Sequence, residues 1–199
     1  MSKEHPDQLE NLPCAKNLGV KTYLYPQPTL VIATYNEDGT PNAMVAAWGS
    51  VSDTNQIAIY VAKSHKTMPN ILARKAFTVS MATAKNIKAI DYLGVTSGNK
   101  VADKFAKSGL TAVKSENVDA PLIAELPLAL ECKMVSYDEE SELLLGEIVN
   151  VTADESVLDV DGKLSVEKLA PVCYDTAGHG YYVMERRVGN AFSDGKEIK

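Results

Sequence analysis

Hydrophobic residues along this chain come in short runs separated by polar turns, a pattern typical of a protein built mainly from β-strands. One turn ends at Gly39, a residue type that can take a positive φ without strain. The run that follows consists of small residues, which let a ligand or a packed element approach the backbone closely. The strands predicted from these runs cover residues 29–35, 42–48, 57–61, 77–81 and 181–184.

A longer alternating segment predicts a β-hairpin in the second half of the chain. Residues 126–137 place Cys132 among apolar side chains on one face, with Glu131 and Lys133 on the opposite face. This alternation predicts a half-buried strand in which the Cys132 thiol is buried. Residues 142–153 are expected to form its antiparallel partner.

Apolar spacing between the strands predicts short helices. The first is expected to begin with Thr67 as its N-cap, to hold Pro69 in its first turn and to extend through Arg74. A second helix is predicted over residues 87–93 and a third over residues 100–108.

The third predicted helix carries local signals of its own. Asp103 and Lys107 are spaced for an ion pair, and Gly109 suits the C-cap. The full order of elements lacks the regular strand–helix alternation of a doubly wound sheet. We therefore expect a mainly β fold, a mostly antiparallel barrel with peripheral helices.

Composition bounds the organisation of the chain. Its 199 residues are 45% hydrophobic and 23% charged, which suits one globular domain with terminal extensions. No apolar run reaches the length of a transmembrane helix, and the first residues lack the apolar core of a signal peptide. We expect a cytoplasmic protein with no membrane partner.

Residue types that catalyse reactions or bind metals are sparse. Cys14, Cys132 and Cys173 are far apart and odd in number, which argues against a disulfide framework and a zinc knuckle. No GxGxxG, Walker, HExxH or GxSxG motif occurs, and His65 and His179 remain as candidate catalytic histidines. A protein with so little reactive machinery is expected to import its chemistry as a cofactor.

Charge is unevenly distributed along the chain. The net charge is −6, yet residues 63–114 are strongly basic and residues 116–159 are strongly acidic. A basic region in an acidic protein suits a compact anionic ligand better than a long polyanion, although a solvated surface would show the same bias. No basic face is interleaved with aromatic residues, so no nucleic-acid partner is expected.

The most informative segment is residues 63–71, where a predicted strand leads into the first helix. Hydroxyl groups, lysines and free backbone N–H groups are concentrated there. A helix N-terminus carries unpaired N–H groups and the positive end of the helix dipole, both of which bind anions. One interpretation is a phosphate site for a nucleotide-type cofactor, and the other is a surface helix with a solvated charge cluster.

Several segments together resemble the flavin reductase-like proteins, which include the flavoredoxins of anaerobic microbes. The resemblance is colinear over about residues 17–195, leaving residues 1–16 as an N-terminal extension and 196–199 as a tail. The segments that carry it are residues 41–49, 63–67, 70–71, 76–80, 91–98, 103–105, 109–111, 120–121, 124–125, 128–132, 146–148 and 181–182.

The resemblance implies an FMN-binding split β-barrel, mostly antiparallel and of Greek-key type, that forms a homodimer with FMN near the subunit contact. It also implies a set of residues around the cofactor. These are Val45 on the FMN-facing strand, the backbone around Ala46, Ala47 and Trp48 at the isoalloxazine ring, Ser64, Lys66 and Thr67 at the phosphate, Ser80 and Met81 near the ring edge, Ser97, Lys100 and Lys104 as polar or cationic contacts, and Tyr182 at the pocket border.

Three positions qualify these expectations. Val45 stands where the family often has threonine, so a side-chain hydroxyl is lost, and Leu93 stands where cysteine is common. Trp48 could stack on the flavin or fill the core, and the second interpretation is favoured here.

The implied activity is an oxidoreductase that passes electrons from NAD(P)H to flavin or another acceptor, with FMN carrying the chemistry and no catalytic side chain. One alternative is a flavoredoxin-type carrier, reduced by a small redox protein such as ferredoxin. Another is a non-enzymatic barrel that only binds flavin or haem.

Overall fold

The computed structural model describes residues 15–198, and Cys14 and most of the predicted N-terminal extension lie outside them. The strands are β1 (Gln27–Pro28), β2 (Leu30–Tyr35), β3 (Pro41–Ala46), β4 (Gly49–Asp53), β5 (Gln56–Tyr60), β6 (Ala76–Met81), β7 (Ala112–Lys114), β8 (Pro121–Ile123), β9 (Leu128–Asp138), β10 (Leu143–Ala153), β11 (Val172–Tyr174) and β12 (Tyr181–Val183). The helices are α1 (Thr67–Arg74), α2 (Ile87–Val95), α3 (Lys104–Lys107) and α4 (Val166–Leu169). No helix among residues 15–198 is long and apolar enough to cross a membrane.

Seven strands form one antiparallel sheet in the order β3-β2-β6-β9-β10-β5-β4. Its two edge strands, β3 and β4, are joined only by Ala47 and Trp48. Such a link spans at most about 11 Å, so the sheet must curl until its edges meet. The result is a half-barrel, which confirms the predicted antiparallel barrel with peripheral helices.

The β9–β10 hairpin is the longest pair in the sheet and follows the predicted course. Register shifts at Leu145/Gly146 and Ile148/Asn150 bend it, as β-bulges do. A side chain at position 146 would collide with the Phe77 ring, with Cε1 only 2.9 Å away. Gly146 therefore lets β10 cross over Phe77 where the hairpin curves.

The core lies on both faces of the sheet. Leu30 and Ile32 of β2 belong to the cluster inside the half-barrel, around Phe77. Val31 and Ala33 of the same strand belong to the cluster beneath α2 and α3. Because β2 is buried on both faces, its sequence is a continuous apolar run rather than an alternating one.

Two parts of the predicted fold need correction. Residues 100–108 form turns followed by the single helical turn α3, because Gly98 and Asn99 favour a turn over a helix start. Within it the predicted Asp103–Lys107 ion pair is confirmed, with Oδ1 and Nζ 2.9 Å apart, and Gly109 takes a φ of 75°.

The second correction concerns Glu131, which was expected on the solvent face of its strand. Its side chain is only 1% exposed. The loop between β7 and β8 covers this face of β9 and brings Ser115 and Asn117 to the carboxylate. Burial of Cys132 on the other face is confirmed, and burial raises the pKa of its thiol to about 12.

Candidate functional site

A cavity of about 250 Å³, called here the α1 cavity, lies beside the N-terminus of α1. Strand β3, the start of α1, the end of α2 with the segment that follows it, and the start of α3 all contribute to its wall. The lining residues are Asn42, Met44, Val45, His65, Lys66, Thr67, Leu93, Gly94, Val95, Thr96, Ser97, Gly98 and Lys104.

Helix α1 begins without a side-chain cap. Lys66 occupies the N-cap position, so the predicted N-cap role of Thr67 is wrong. The Thr67 hydroxyl instead accepts a hydrogen bond from Asn42 Nδ2 at 3.1 Å, which ties the helix to β3. Within residues 15–198, the backbone N–H groups of Lys66 and Thr67 have no hydrogen-bond partner. They are therefore available to an anion in the cavity.

Lys104 is the second cationic group of the α1 cavity. Lys104 is only 4% exposed, because the neighbouring Phe105 anchors α3 in the core beneath the sheet. Burial lowers the pKa of the Lys104 ammonium to about 8. Among the described residues this ammonium makes no hydrogen bond or ion pair, whereas Lys107 pairs with Asp103. A cation on a largely buried lysine that has no partner in a cavity favours binding of an anion.

Two glycines bring the end of α2 and the backbone that follows it close to β3 and α1. A Cβ at Gly98 would lie 2.7 Å from Asn42 Oδ1 and 3.2 Å from Lys66 Cβ. A Cβ at Gly94 would lie 3.4 Å from Val45 Cβ, an ordinary contact. The closer approach at Gly98 holds this backbone segment against the cavity and requires glycine.

Five of the predicted site residues line the α1 cavity. They come from four separate parts of the chain and are Val45, Lys66, Thr67, Ser97 and Lys104. Asn42 was missed by the sequence reasoning, although a polar residue in a strand of small residues was a usable signal. His65, one of the two candidate histidines, also lines the cavity.

The remaining predicted residues lie elsewhere. Ser64 and Lys100 are exposed nearby, and the Ser64 carbonyl accepts a hydrogen bond from Asn99 Nδ2 at 2.8 Å. Ala46 and Ala47 lie at and just beyond the end of β3, outside the cavity lining. Tyr182 lies on the small sheet β1-β11-β12 and is exposed.

Ser80 and Met81 are consecutive on β6 and therefore point to opposite faces of the sheet. Ser80 Oγ is buried and has no hydrogen-bond partner among the described residues. Met81 lines an apolar groove of about 440 Å³ between the half-barrel and the small sheet.

Trp48 does not fill the core, contrary to the favoured interpretation. It is 57% exposed in this chain. It lies in the short link between the edge strands, and its carbonyl accepts the Tyr60 N–H at 2.9 Å. The curled sheet holds the backbone of this link at its rim, so the indole is left outside the core.

Comparison with known proteins identifies the family. Residues 22–172 match the family model of the flavin reductase-like domain. The chain belongs to the flavin reductase-like family. This confirms the resemblance read from the segments between residues 41 and 182.

Solved structures of similar proteins agree with the family assignment. The flavoredoxin of Desulfovibrio vulgaris (Miyazaki F) is 38% identical, with a TM-score of 0.87 over 91% of this chain and 99% of that one. The flavoredoxin of Methanosarcina acetivorans is 26% identical, with a TM-score of 0.82 over 93% of this chain and 100% of that one. A protein with a split barrel domain from Shewanella frigidimarina is 18% identical, with a TM-score of 0.73 over 84% and 86% of the two chains, and shares the fold.

Proposed function

We propose that this flavin reductase-like protein binds FMN through the α1 cavity and works as a flavin-dependent redox protein. The observation that supports it most directly is that Lys104, a residue only 4% exposed, has an ammonium without a partner in the cavity beside the free N–H groups at the start of α1. A neutral ligand would leave that charge uncompensated, whereas a phosphate dianion would neutralise it.

The donor set of the α1 cavity fits a phosphate ester. Lys66 and Lys104 supply positive charge, and the N–H groups of Lys66 and Thr67 supply hydrogen bonds at a helix N-terminus. Val45 and Leu93 make part of the wall apolar and keep water away from the ligand. Bound FMN would supply hydride and single-electron chemistry, which the side chains of this chain do not provide.

A matched pair of lysine variants tests the phosphate assignment. Lys104→Met keeps the apolar stem and removes the charge, while Lys107→Met does the same at an exposed position on the same turn. Loss of a charge-assisted hydrogen bond costs about 1.5–3 kcal/mol, so Lys104→Met should weaken FMN binding about 10- to 100-fold. Lys107→Met should bind FMN like the wild type.

Binding is measured by titrating apo-protein with FMN and following flavin fluorescence. Thermal unfolding of both apo variants verifies that the fold survives, and Lys104→Met should be no less stable because it removes a buried charge. Equal FMN affinity in the two variants would refute the role of Lys104 and leave the anion site without its main support.

The electron donor is a separate part of the proposal. NADH or NADPH should bleach the flavin absorbance of the FMN-loaded protein in the absence of oxygen if the protein is an NAD(P)H-dependent reductase. A second candidate, a flavoredoxin-type carrier, is supported by the 38% identity to the Desulfovibrio vulgaris flavoredoxin. Reduction by ferredoxin but by neither nicotinamide would select the carrier.

The homodimer expected from the resemblance is also part of the proposal. The rim of the half-barrel exposes apolar side chains that a second copy could cover, with Trp48 at 57%, Val51 at 65% and Tyr60 at 54% exposure. Sedimentation equilibrium should give a dimer mass, and a monomer at all concentrations would contradict this part of the proposal.

A further inference from the structure

Residues 185–198, called here the C-terminal arm, follow β12 and leave three large apolar side chains in solvent. Val188 is 88% exposed, Phe192 95% and Ile198 86%. Every hydrogen bond that the arm makes within the described part of the chain joins two residues of the arm itself. The rest of the described chain therefore neither hydrogen-bonds the arm nor covers these three side chains.

Asp194 holds the middle of the C-terminal arm in a compact turn. Its Oδ2 accepts the N–H of Asn190 at 2.8 Å, and its Oδ1 accepts a hydrogen bond from Asn190 Nδ2 at 3.1 Å. A Cβ at Gly189 would lie 2.7 Å from Asp194 Oδ2, so glycine lets the turn close. Phe192 lies inside this turn with a φ of 61°, a conformation that bulky residues rarely adopt. The turn therefore presents a nearly fully exposed aromatic ring on an organised backbone, which is typical of a surface that binds another molecule.

The apolar groove between the half-barrel and the small sheet has the chemistry that would receive such a ring. Its volume is about 440 Å³, and its lining is almost entirely apolar, with Ile57, Met81 and Leu128 among the residues that form it. None of residues 185–198 lines the groove, so the arm leaves it uncovered in its own chain. An exposed aromatic side chain and an open apolar groove both lose unfavourable contact with water when one covers the other.

Two observations favour the arm of a second copy as the occupant of this groove. Val51 lines the groove and also belongs to the exposed rim at which the proposed homodimer forms, so the groove continues that contact. Met184, the residue just before the arm, lines the same groove, so in a two-fold dimer both arms start beside the contact. Phe192 follows Met184 by eight residues, a length of chain that spans at most about 28 Å. Each arm can therefore cross the contact and reach the other copy.

Resting on the homodimer of the proposed function, we propose that two copies of this chain exchange their C-terminal arms, with Phe192 of each arm seated in the apolar groove of the other copy. The exchange covers the ring and the groove together. It also obeys two-fold symmetry, because the same arm and the same groove occur twice in the contact. Cys173 lines the groove, so the reactivity of its thiol reports whether the groove is covered.

Sedimentation equilibrium and labelling of Cys173 with N-ethylmaleimide test the exchange in the full chain. All proteins carry Cys14→Ser, and Cys132 is fully buried, so labelling of the native protein reports on Cys173. Phe192→Ser removes the aromatic ring from the arm. Val160→Ser, at a fully exposed apolar residue in the loop before α4, is the matched control. Thermal unfolding verifies that both variants are folded.

Phe192→Ser should raise the dissociation constant of the dimer at least about 100-fold, because each dimer loses two buried phenylalanine side chains. It should also speed the labelling of Cys173 at least about tenfold, because the groove is no longer covered. Val160→Ser should change neither the dissociation constant nor the labelling rate.

Three other outcomes would overturn the exchange, and they separate it from the proposed function. If Phe192→Ser dimerises as tightly as the control, the rim alone forms the dimer, so the exchange is wrong and the homodimer stands. If the dimer weakens but Cys173 reacts at the wild-type rate, Phe192 docks outside the groove and the proposal is again wrong. If the wild type is a monomer at every concentration, the homodimer and the exchange both fail; faster labelling in Phe192→Ser would then show that the arm covers its own groove. The α1 cavity is tested separately, by FMN titration.

Discussion

Replacement of Glu131 by glutamine should destabilise the fold through one buried charge. The Glu131 carboxylate accepts hydrogen bonds from Asn150 Nδ2 at 2.7 Å and Thr152 Oγ1 at 2.6 Å, and also from Ser115 Oγ and Asn117 Nδ2. Salt bridges within residues 15–198 do not include it, so neutral donors alone hold the charge. A glutamine at this position would place its NH₂ donor against side chains that are themselves donors, so some of these hydrogen bonds would be lost.

The magnitude follows from the pKa of the Glu131 carboxyl. Burial alone raises this pKa, but the hydrogen bonds from Ser115, Thr152, Asn150 and Asn117 outweigh burial and lower it from 4.5 to about 2. A shift of this size corresponds to about 3 kcal/mol of stability in favour of the charged form. Because the folded-state pKa is lowered, this stability is present above pH 4.5 and is lost as the pH falls toward about 2.

Urea unfolding of the wild type and Glu131→Gln at about pH 7 and about pH 3 tests the reasoning. The variant should be about 3 kcal/mol less stable at the higher pH, and the difference should shrink at the lower pH. Glu140→Gln, an exposed carboxylate on the β9–β10 turn, should match the wild type at both pH values. A loss below about 1 kcal/mol at neutral pH, or a difference that does not change with pH, would refute it.

Two further predictions concern the cofactor and the hairpin. FMN affinity should be highest below pH 8 and should fall by up to about tenfold per pH unit above it. The reason is that Lys104, with a pKa of about 8, must be charged to bind the phosphate. Titrations of Lys104→Met with FMN across this pH range should show no such slope. Gly146→Ala should lower the free energy of unfolding by about 1–3 kcal/mol because its Cβ would overlap the Phe77 ring. A Cβ at Gly195 has no atom within 4 Å, so Gly195→Ala should change the free energy of unfolding little in the same urea assay.

The strands were predictable where burial leaves a local signature. The β2 segment is buried on both faces and appears as a continuous apolar run, and the β9 segment alternates. The short strands β7 and β8, at three residues each, are too brief to carry either pattern. Without them, the loop that covers Glu131 could not be foreseen, and its carboxylate was expected to face solvent.

Half of the α1 cavity, at the start of α1, was predictable because its signals lie within residues 63–71. Its other half depends on contacts between distant segments. Asn42 reaches Thr67 across 25 residues of sequence, and the close approach of Gly98 to Asn42 exists only once α2 and β3 pack together. No local spacing encodes either contact. The sequence therefore predicted Thr67 as an N-cap, whereas in the structure its hydroxyl is bonded to Asn42 of β3.

Lys104 and Lys107 show why the number of charges in a stretch of sequence could suggest an anionic ligand but could not say where it binds. Both lysines lie on α3, three residues apart, within the basic stretch over residues 63–114. Asp103 is spaced to pair with Lys107 and does so in solvent, while Phe105 anchors the same turn in the core and buries Lys104. The identity of the unpaired cation is therefore decided by which face of α3 packs inward.

If this is correct, Phe105→Ala should release α3, return the Lys104 pKa toward 10.5 and weaken FMN binding even though every cation is retained. Unchanged FMN affinity in a folded Phe105→Ala protein would show that burial of Lys104 is not what makes this cavity select an anion.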